Sequence, residues 1–506
     1  MKSPALKMVS LFALCSAGGV SSALAADQAP VSARPISAPI AAVPVKAPAT
    51  EQARAKNVIL FIGDGMGIST ITAARIYDGQ TRGETGEENL LSFEHFPNVA
   101  LVKTYNTNQQ VPDSAGTATA LNSGVKTRAG MINIGPAAHL GNCSEAQANI
   151  LPTAAEKLVT QGLSIGIVST ARITHATPAA VYGHSPDRNW ESDSDIPDAE
   201  RAKGCTGLAD QLLKFPFSVA LGGGSAQFYG SGNSTGGSVD GGQQVATNLA
   251  RIWAEQTGNH YVNTSADMKA LPQDGRPVLG LFSRSHMTFM LDRTEDTTEP
   301  TLSEMTATAI DRLQTDPDGY FLMVEGGRID HGHHAGKAGY ALSETQELSN
   351  AVQTALNKVD LTDTLILVTA DHSHVFTIAG YPTRGNSILG LSIGNDEHGD
   401  PKTTPTLATD GKPYTTLGYQ NGPGAFNGER PVPETGPKAM QQALVPTGSV
   451  FDAKVSLSET HGGEDVALYA AGPQSGRAHG VIEQNIVYSI IMDALNPVPQ
   501  PSGQAD

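Results

Sequence analysis

The sequence predicts an α/β fold: a mainly parallel central sheet with helices on both faces. Three observations carry that expectation. Residues 57–62 (NVILFI), 163–169 (LSIGIVS), 321–324 (FLMV) and 364–369 (TLILVT) are apolar without clear alternation, as suits strands buried on both faces. Three of these runs stop abruptly near an acidic residue, Asp64, Glu325 or Asp371, and open α/β sheets bind ligands just beyond their carboxyl ends. Stretches with helical spacing, residues 304–313 and 341–359, separate the later strands.

The chain has 506 residues, enough to bury a sizeable core, and 54 glycines, which suggests many loops around a regular scaffold. A net charge of −17 argues against nucleic acid as a partner. It leaves small anionic substrates open, because cations and a few arginines reverse the field locally. Residues 1–25 have the layout of a secretory signal. Lys2 and Lys7 precede an apolar stretch too short for a transmembrane anchor, and Ala23-Leu24-Ala25 is a small-x-small cleavage site. The expected destination is the periplasm or the outside of the cell. Residues 26–55, rich in Ala and Pro, read as a flexible leader. Beyond the signal only Cys143 and Cys205 remain. In an oxidising compartment the default is one disulfide, worth about 4 kcal/mol on a chain-entropy estimate, and two buried thiols are the alternative.

The first strand runs into Gly63-Asp64-Gly65, which places Asp64 at its carboxyl end. Residues 111–121 (VPDSAGTATAL) read as a tightly packed helix of small residues. Asp113-Ser114 stands at its start, where free N–H groups favour an anion. The bland alternative is an ordinary cap, since a serine hydroxyl is a poor nucleophile without an activator. The strand at 163–169 leads to His175 and Thr177, and Arg188 follows in a polar loop. Its planar fork of donors matches a phosphate. Residues 218–224 and 278–282 read as short strands, with a Gly/Ser loop at 229–242. Phe321 to Gly336 (FLMVEGGRIDHGHHAG) then delivers Glu325, Asp330, His331 and His334, and VTADHSH delivers Asp371 and His372. Residues 381–455 look like an inserted excursion. Order returns around His461 and continues through a strand at 466–470 to a final helix over 482–494.

Together these segments supply enough oxygen and nitrogen donors for more than one divalent ion beside one serine. Such an arrangement suits in-line phosphoryl transfer through a phosphoserine. At this point the segments are recognisable. NVILFIGDGMG, PDSAGTATA, FLMVEGGRIDHGHH, VTADHSH and ETHGGEDVALYAAGP resemble the signatures of the alkaline phosphatases, in the same order and over residues 57–494.

The resemblance implies a catalytic domain over residues 56–496, a tail over 497–506, and two zinc ions and one magnesium ion per chain. Ser114 would be the phosphorylated nucleophile and Arg188 the phosphate clamp. Asp330, His334 and His461 would hold the first zinc, and Asp64, Asp371 and His372 the second. Asp64 would bridge to magnesium with Thr177 and Glu325. His175 and His331 stand where the enterobacterial form has aspartate and lysine, and agree instead with the animal-type pattern; both would act through water. The calcium site of that pattern is not carried over, because Ser283 follows Gly280-Leu281-Phe282 where glutamate is needed. Cys143 and Cys205 align with a disulfide of that form. Residues 381–455 resemble its crown insertion, which implies a homodimer. Small phosphomonoesters are the implied substrates. The rival readings are a phosphodiesterase or phosphomutase of the same superfamily, a sulfatase (for which no modification motif is found), and a secreted phosphate- or metal-binding protein without turnover.

Overall fold

A computed structural model describes residues 54–229, 248–426, 428–447 and 458–495. The expected signal, nearly all of the leader, most of the Gly/Ser loop, part of the excursion and the tail lie outside the described residues.

In chain order the strands are β1 (Asn57–Gly63), β2 (Asn98–Lys103), β3 (Ser164–Arg172), β4 (Val219–Gly223), β5 (His260–Val262), β6 (Val278–Leu281), β7 (Tyr320–Gly326), β8 (Thr364–Ala370), β9 (Ser373–His374), β10 (Phe376–Ile378), β11 (Leu417–Asn421), β12 (Ala443–Val445), β13 (His461–Gly462), β14 (Val466–Ala471) and β15 (Gly480–Glu483). Ten of them form one sheet in the order β15-β2-β14-β8-β1-β7-β3-β4-β6-β5. β1 lies between β7 and β8 and is parallel to both. All seven of its residues are buried, which is why its apolar run does not alternate. Truncating Leu60, at the centre of this core, to alanine would cost about 2–5 kcal/mol.

The expected α/β class holds, with four local differences. β14 runs antiparallel to both β8 and β2, a direction that composition does not encode. The expected terminal helix starts later, at Ile486–Leu495, because residues 480–483 pair with β2 as the edge strand β15. β2 itself escaped the reading, since its burial alternates and Val99 and Leu101 face solvent. The early helix Ile68–Thr81 also escaped; it packs through small residues such as Ala73, Ala74 and Gly79 rather than a strong apolar stripe.

After β8 the chain forms a small sheet, β10-β11-β12, whose last two strands belong to the excursion; buried Phe376, Leu417 and Tyr419 anchor it. Cys143 and Cys205 are joined, with S–S 2.22 Å and Cα–Cα 5.9 Å. Among the described residues no helix is long and apolar enough to cross a membrane.

Candidate metal centre and nucleophile

The sheet register brings the acidic residues together. Gly63 of β1 pairs with Gly326 of β7 and with Ala370 of β8. Asp64 and Asp371, the next residues along, therefore leave neighbouring strands side by side, and Glu325 lies one step back on β7. Gly65 turns at φ +68°, and a Cβ there would fall 2.3 Å from His374 Nε2. Glycine is required because the next layer of the site presses against this backbone.

Three imidazoles are oriented by carbonyl oxygens. His334 Nδ1 lies 2.7 Å from Glu459 O, His461 Nδ1 2.8 Å from Pro112 O, and His372 Nδ1 3.2 Å from Ser373 O. Carbonyls only accept, so each ring carries its proton on Nδ1 and presents a bare Nε2 lone pair. The Nε2 atoms of His334 and His461 stand 3.1 Å apart, at 3.2 and 3.4 Å from Asp330 Oδ1. His372 Nε2 lies 3.1 Å from Ser114 Oγ, 3.3 Å from Asp64 Oδ1 and 3.4 Å from Asp371 Oδ2. Lone pairs and carboxylates that converge in this way repel one another unless a cation lies between them.

Orphaned atoms point the same way. Both carboxylate oxygens of Asp64, Glu325 Oε1, Thr177 Oγ1 and His175 Nδ1 are buried without a hydrogen-bond partner. Burial, reinforced by Asp371, Asp330 and Glu325, pushes the Asp64 carboxyl well up. Burial likewise pushes Glu325 up to about 7, against the Ser169 hydroxyl that donates to its other oxygen. Burial works to raise Asp330 too, but His334, His374 and His461 hold it well below the usual carboxylate range. Burial lowers His461 to about 4 and His372 to about 3, which keeps both as neutral donors. Among the described residues, three donor groups have ligand atoms within 4.8 Å of one another: Asp330, His334, His374 and His461; Asp64, Asp330 and His372; and Asp64, His175 and Glu325. The mixed imidazole–carboxylate sets suit zinc, and the oxygen-rich set around Glu325 and Thr177 suits a harder cation.

Ser114 opens the helix Ser114–Ser123. The helix is capped by Asp113, whose carboxylate accepts from Gly116 N at 3.1 Å and Ala115 N at 3.3 Å. The same carboxylate accepts from Gly130 N at 2.9 Å, Asn106 Nδ2 at 2.9 Å and Arg188 Nη1 at 3.1 Å. One side chain thus fixes both the serine and the guanidinium. Arg188 Nη2 also reaches His175 Nε2 at 3.1 Å. His331 lines the same cleft with its ring 4.1 Å from that of His286, and burial lowers it to about 3. The cleft, of about 820 Å³, is floored by Ser114 and flanked by Arg188, Asp330, His334 and His461.

Every site residue expected from the sequence falls in this one region, apart from the cysteine pair. Sequence reasoning missed Asp113 as the partner of Arg188, and it missed a buried relay behind Asp330. His374 Nε2 lies 2.8 Å from Asp330 Oδ1, while its Nδ1 lies 2.5 Å from Glu459 Oε2. Against burial, Glu459 and Asp330 push His374 up to about 10. The signal was present: His374 stands two residues after His372, and Glu459 two before His461.

A serine at a helix N-terminus, facing clustered imidazoles and carboxylates at the carboxyl end of a parallel sheet, defines a metal-dependent hydrolase of anionic esters. The comparisons with known proteins agree. The family described as alkaline phosphatase matches residues 55–496. The chain is 42% identical over 457 residues to the tissue-nonspecific alkaline phosphatase of Rattus norvegicus, which covers 86% of this chain and 82% of that protein. It is 41% identical over 456 residues to the alkaline phosphatase of Gadus morhua, covering 86% and 90%. Among solved structures, the alkaline phosphatase of the Antarctic bacterium TAB5 shares the fold with a TM-score of 0.59 at 23% identity, covering 87% and 98%. The Thermus thermophilus alkaline phosphatase does so with 0.61 at 22% identity, covering 90% and 93%. The chain belongs to the alkaline phosphatase family. Its activity is hydrolysis of phosphate monoesters, and its cofactors are divalent metal ions.

Proposed function

We propose that turnover proceeds through a phosphoserine at Ser114, with two zinc ions and one magnesium ion per chain. The observation that carries this reading is the convergence of bare Nε2 lone pairs and unpartnered carboxylates around a single hydroxyl. Asp330, His334 and His461 would hold the first zinc; Asp64, Asp371 and His372 the second; Asp64, Thr177 and Glu325 the magnesium. When bound, these ions supply Lewis acidity, neutralising phosphoryl charge and lowering the pKa of hydroxyl and water.

The protein's own groups do the rest. Arg188, pinned by Asp113, grips two phosphoryl oxygens and presents phosphorus in line with Ser114 Oγ. Oγ forms a bond to phosphorus as the bond to the leaving alcohol breaks, and the alcohol oxygen takes up a proton. Water then attacks the phosphoserine from the side the alcohol left; the Oγ–phosphorus bond breaks as the water oxygen bonds phosphorus, and a proton from the water returns to Oγ, releasing inorganic phosphate and restoring Ser114. His175 and His331 line the cleft beside the phosphate position and act through water.

Radiolabelled phosphate should be trapped on the wild-type enzyme at acidic pH. Ser114→Ala should lose the label and several orders of magnitude in kcat while keeping its metal content. Label that persists on the alanine variant would refute the assignment, and a chain that only binds phosphate would carry none. A rate on aryl diesters equal to that on monoesters would favour the phosphodiesterase reading.

The reading extends to assembly and location. A homodimer through the 381–455 excursion is supported by its solvent-facing apolar side chains: Tyr381, 96% exposed, with Leu444, Val432 and Leu407. Light scattering on the purified protein tests it. Export by removal of residues 1–25, which leaves the 26–55 leader ahead of a catalytic domain at 56–496, is tested by the mass of the mature chain.

A further inference from the structure

A second cavity lies outside the carboxyl ends of β4, β6 and the edge strand β5, and among the described residues it shares no lining residue with the catalytic cleft. Its volume is about 260 Å³. The floor is laced together by backbone. Gly224 N and Ser225 N, just past β4, both donate to Ser283 O past β6, and Ala226 N donates to Arg284 O. Asn263 follows β5 into the same cavity. The far wall is the start of the helix Leu249–Thr257, where Asn248 caps Arg251 N at 3.1 Å. Tyr229 and Asn248 are joined by a backbone bridge.

The chemistry of this lining is one-sided. Among the described residues it is lined by two arginines, Arg251 and Arg284, with Asn248, Asn263, Tyr229 and Tyr261, and by no carboxylate. In a chain of net charge −17, neither arginine forms an ion pair among the described residues. Elsewhere on this surface arginines such as Arg384 and Arg430 are held by acidic partners. Ser283 belongs to the same lining. A cation here would face two arginines and no carboxylate among the described lining residues, so the lining favours an anion.

We propose that this cavity is a binding site for a small tetrahedral oxyanion of the phosphate type, separate from the catalytic cleft. Two forked guanidinium groups can each donate a pair of hydrogen bonds to such an anion, and amide and phenol groups complete its shell. The volume accommodates a phosphate-sized ion with part of its water.

The test is equilibrium dialysis of the metal-loaded enzyme against radiolabelled inorganic phosphate, counting sites per chain. The wild type should show two classes of site. Arg251→Ala and Arg284→Ala should each weaken one class by about tenfold or more, and the double variant should lose it. Both residues are exposed, so the double variant should keep the wild-type melting temperature and its kcat on an aryl phosphate. Arg188→Ala should weaken only the other class, so failure of this site and failure of the catalytic reading are told apart. A single class in the wild type overturns the proposal. So does a second class that survives the double substitution, or loss of hydrolysis in the double variant.

Discussion

Replacing His374 by alanine should loosen the proposed first zinc site without removing any of the three ligands proposed for it. His374 donates to Asp330 Oδ1 at 2.8 Å and is itself held by Glu459 Oε2 at 2.5 Å, all three side chains being buried. Losing a hydrogen bond to a charged group costs about 1.5–3 kcal/mol, which is about 10–100-fold in an equilibrium constant. Partners that orient metal ligands carry about the same 10–100-fold effect on affinity, so two independent routes give one magnitude. The assay is turnover of an aryl phosphate against buffered free zinc. The half-saturating zinc concentration should rise by that factor, and the rate should recover at saturation because Ser114 and Arg188 are untouched. The melting temperature should fall as well, since the buried Glu459 carboxylate would keep its bond from Val375 N at 2.8 Å and a longer contact of 3.8 Å with His334 Nδ1 but lose its closest charged partner. An unchanged half-saturating zinc concentration would refute the relay.

Three further outcomes follow. Arg188→Ala should lower kcat/KM by about 10–100-fold with zinc content unchanged, and Arg188→Lys should recover only part of that, because a point charge lacks the fork. Glu344 is buried in the helix Ala338–Lys358 and accepts from Met290 N at 2.6 Å; burial pushes it from its ordinary 4.5 up to about 7. The folded state therefore holds this proton more tightly than the unfolded chain, and the stability it contributes is full below pH 4.5 and lost as pH rises through 7. Glu344→Gln, which cannot ionise, should match the wild type near pH 4 and exceed it by about 3 kcal/mol at pH 8, read from denaturant midpoints at the two pH values. Cys143→Ser should cost about 2–4 kcal/mol, seen as a lower melting temperature with unchanged kcat.

The central strands were legible because β1, β7 and β8 are buried along their whole length, so their apolar runs stand out without any knowledge of neighbours. β2 was not, because only one of its faces is covered. The direction of β14 was not, because a strand's sequence carries no sense of its partner's orientation. Metal-ligand candidates were legible at strand exits, where an acid or imidazole breaks an apolar run. The pairings behind them were not. Arg188 meets Asp113 across 75 residues, and His374 meets Glu459 across 85. Nothing local in either segment marks the encounter. The cavity of Arg251 and Arg284 was equally invisible, being assembled from three separate strand ends.

The position of β1 in the sheet has a consequence for the order of assembly. It is synthesised well before its two neighbours, β7 and β8, with Val58 opposite Phe321 and Leu365. The middle of the sheet cannot close until the chain has been made as far as β8, so its contacts are long-range and slow to form. The nascent amino-terminal half consequently travels with its most apolar strand unmatched and depends on being kept from aggregation until the downstream strands arrive.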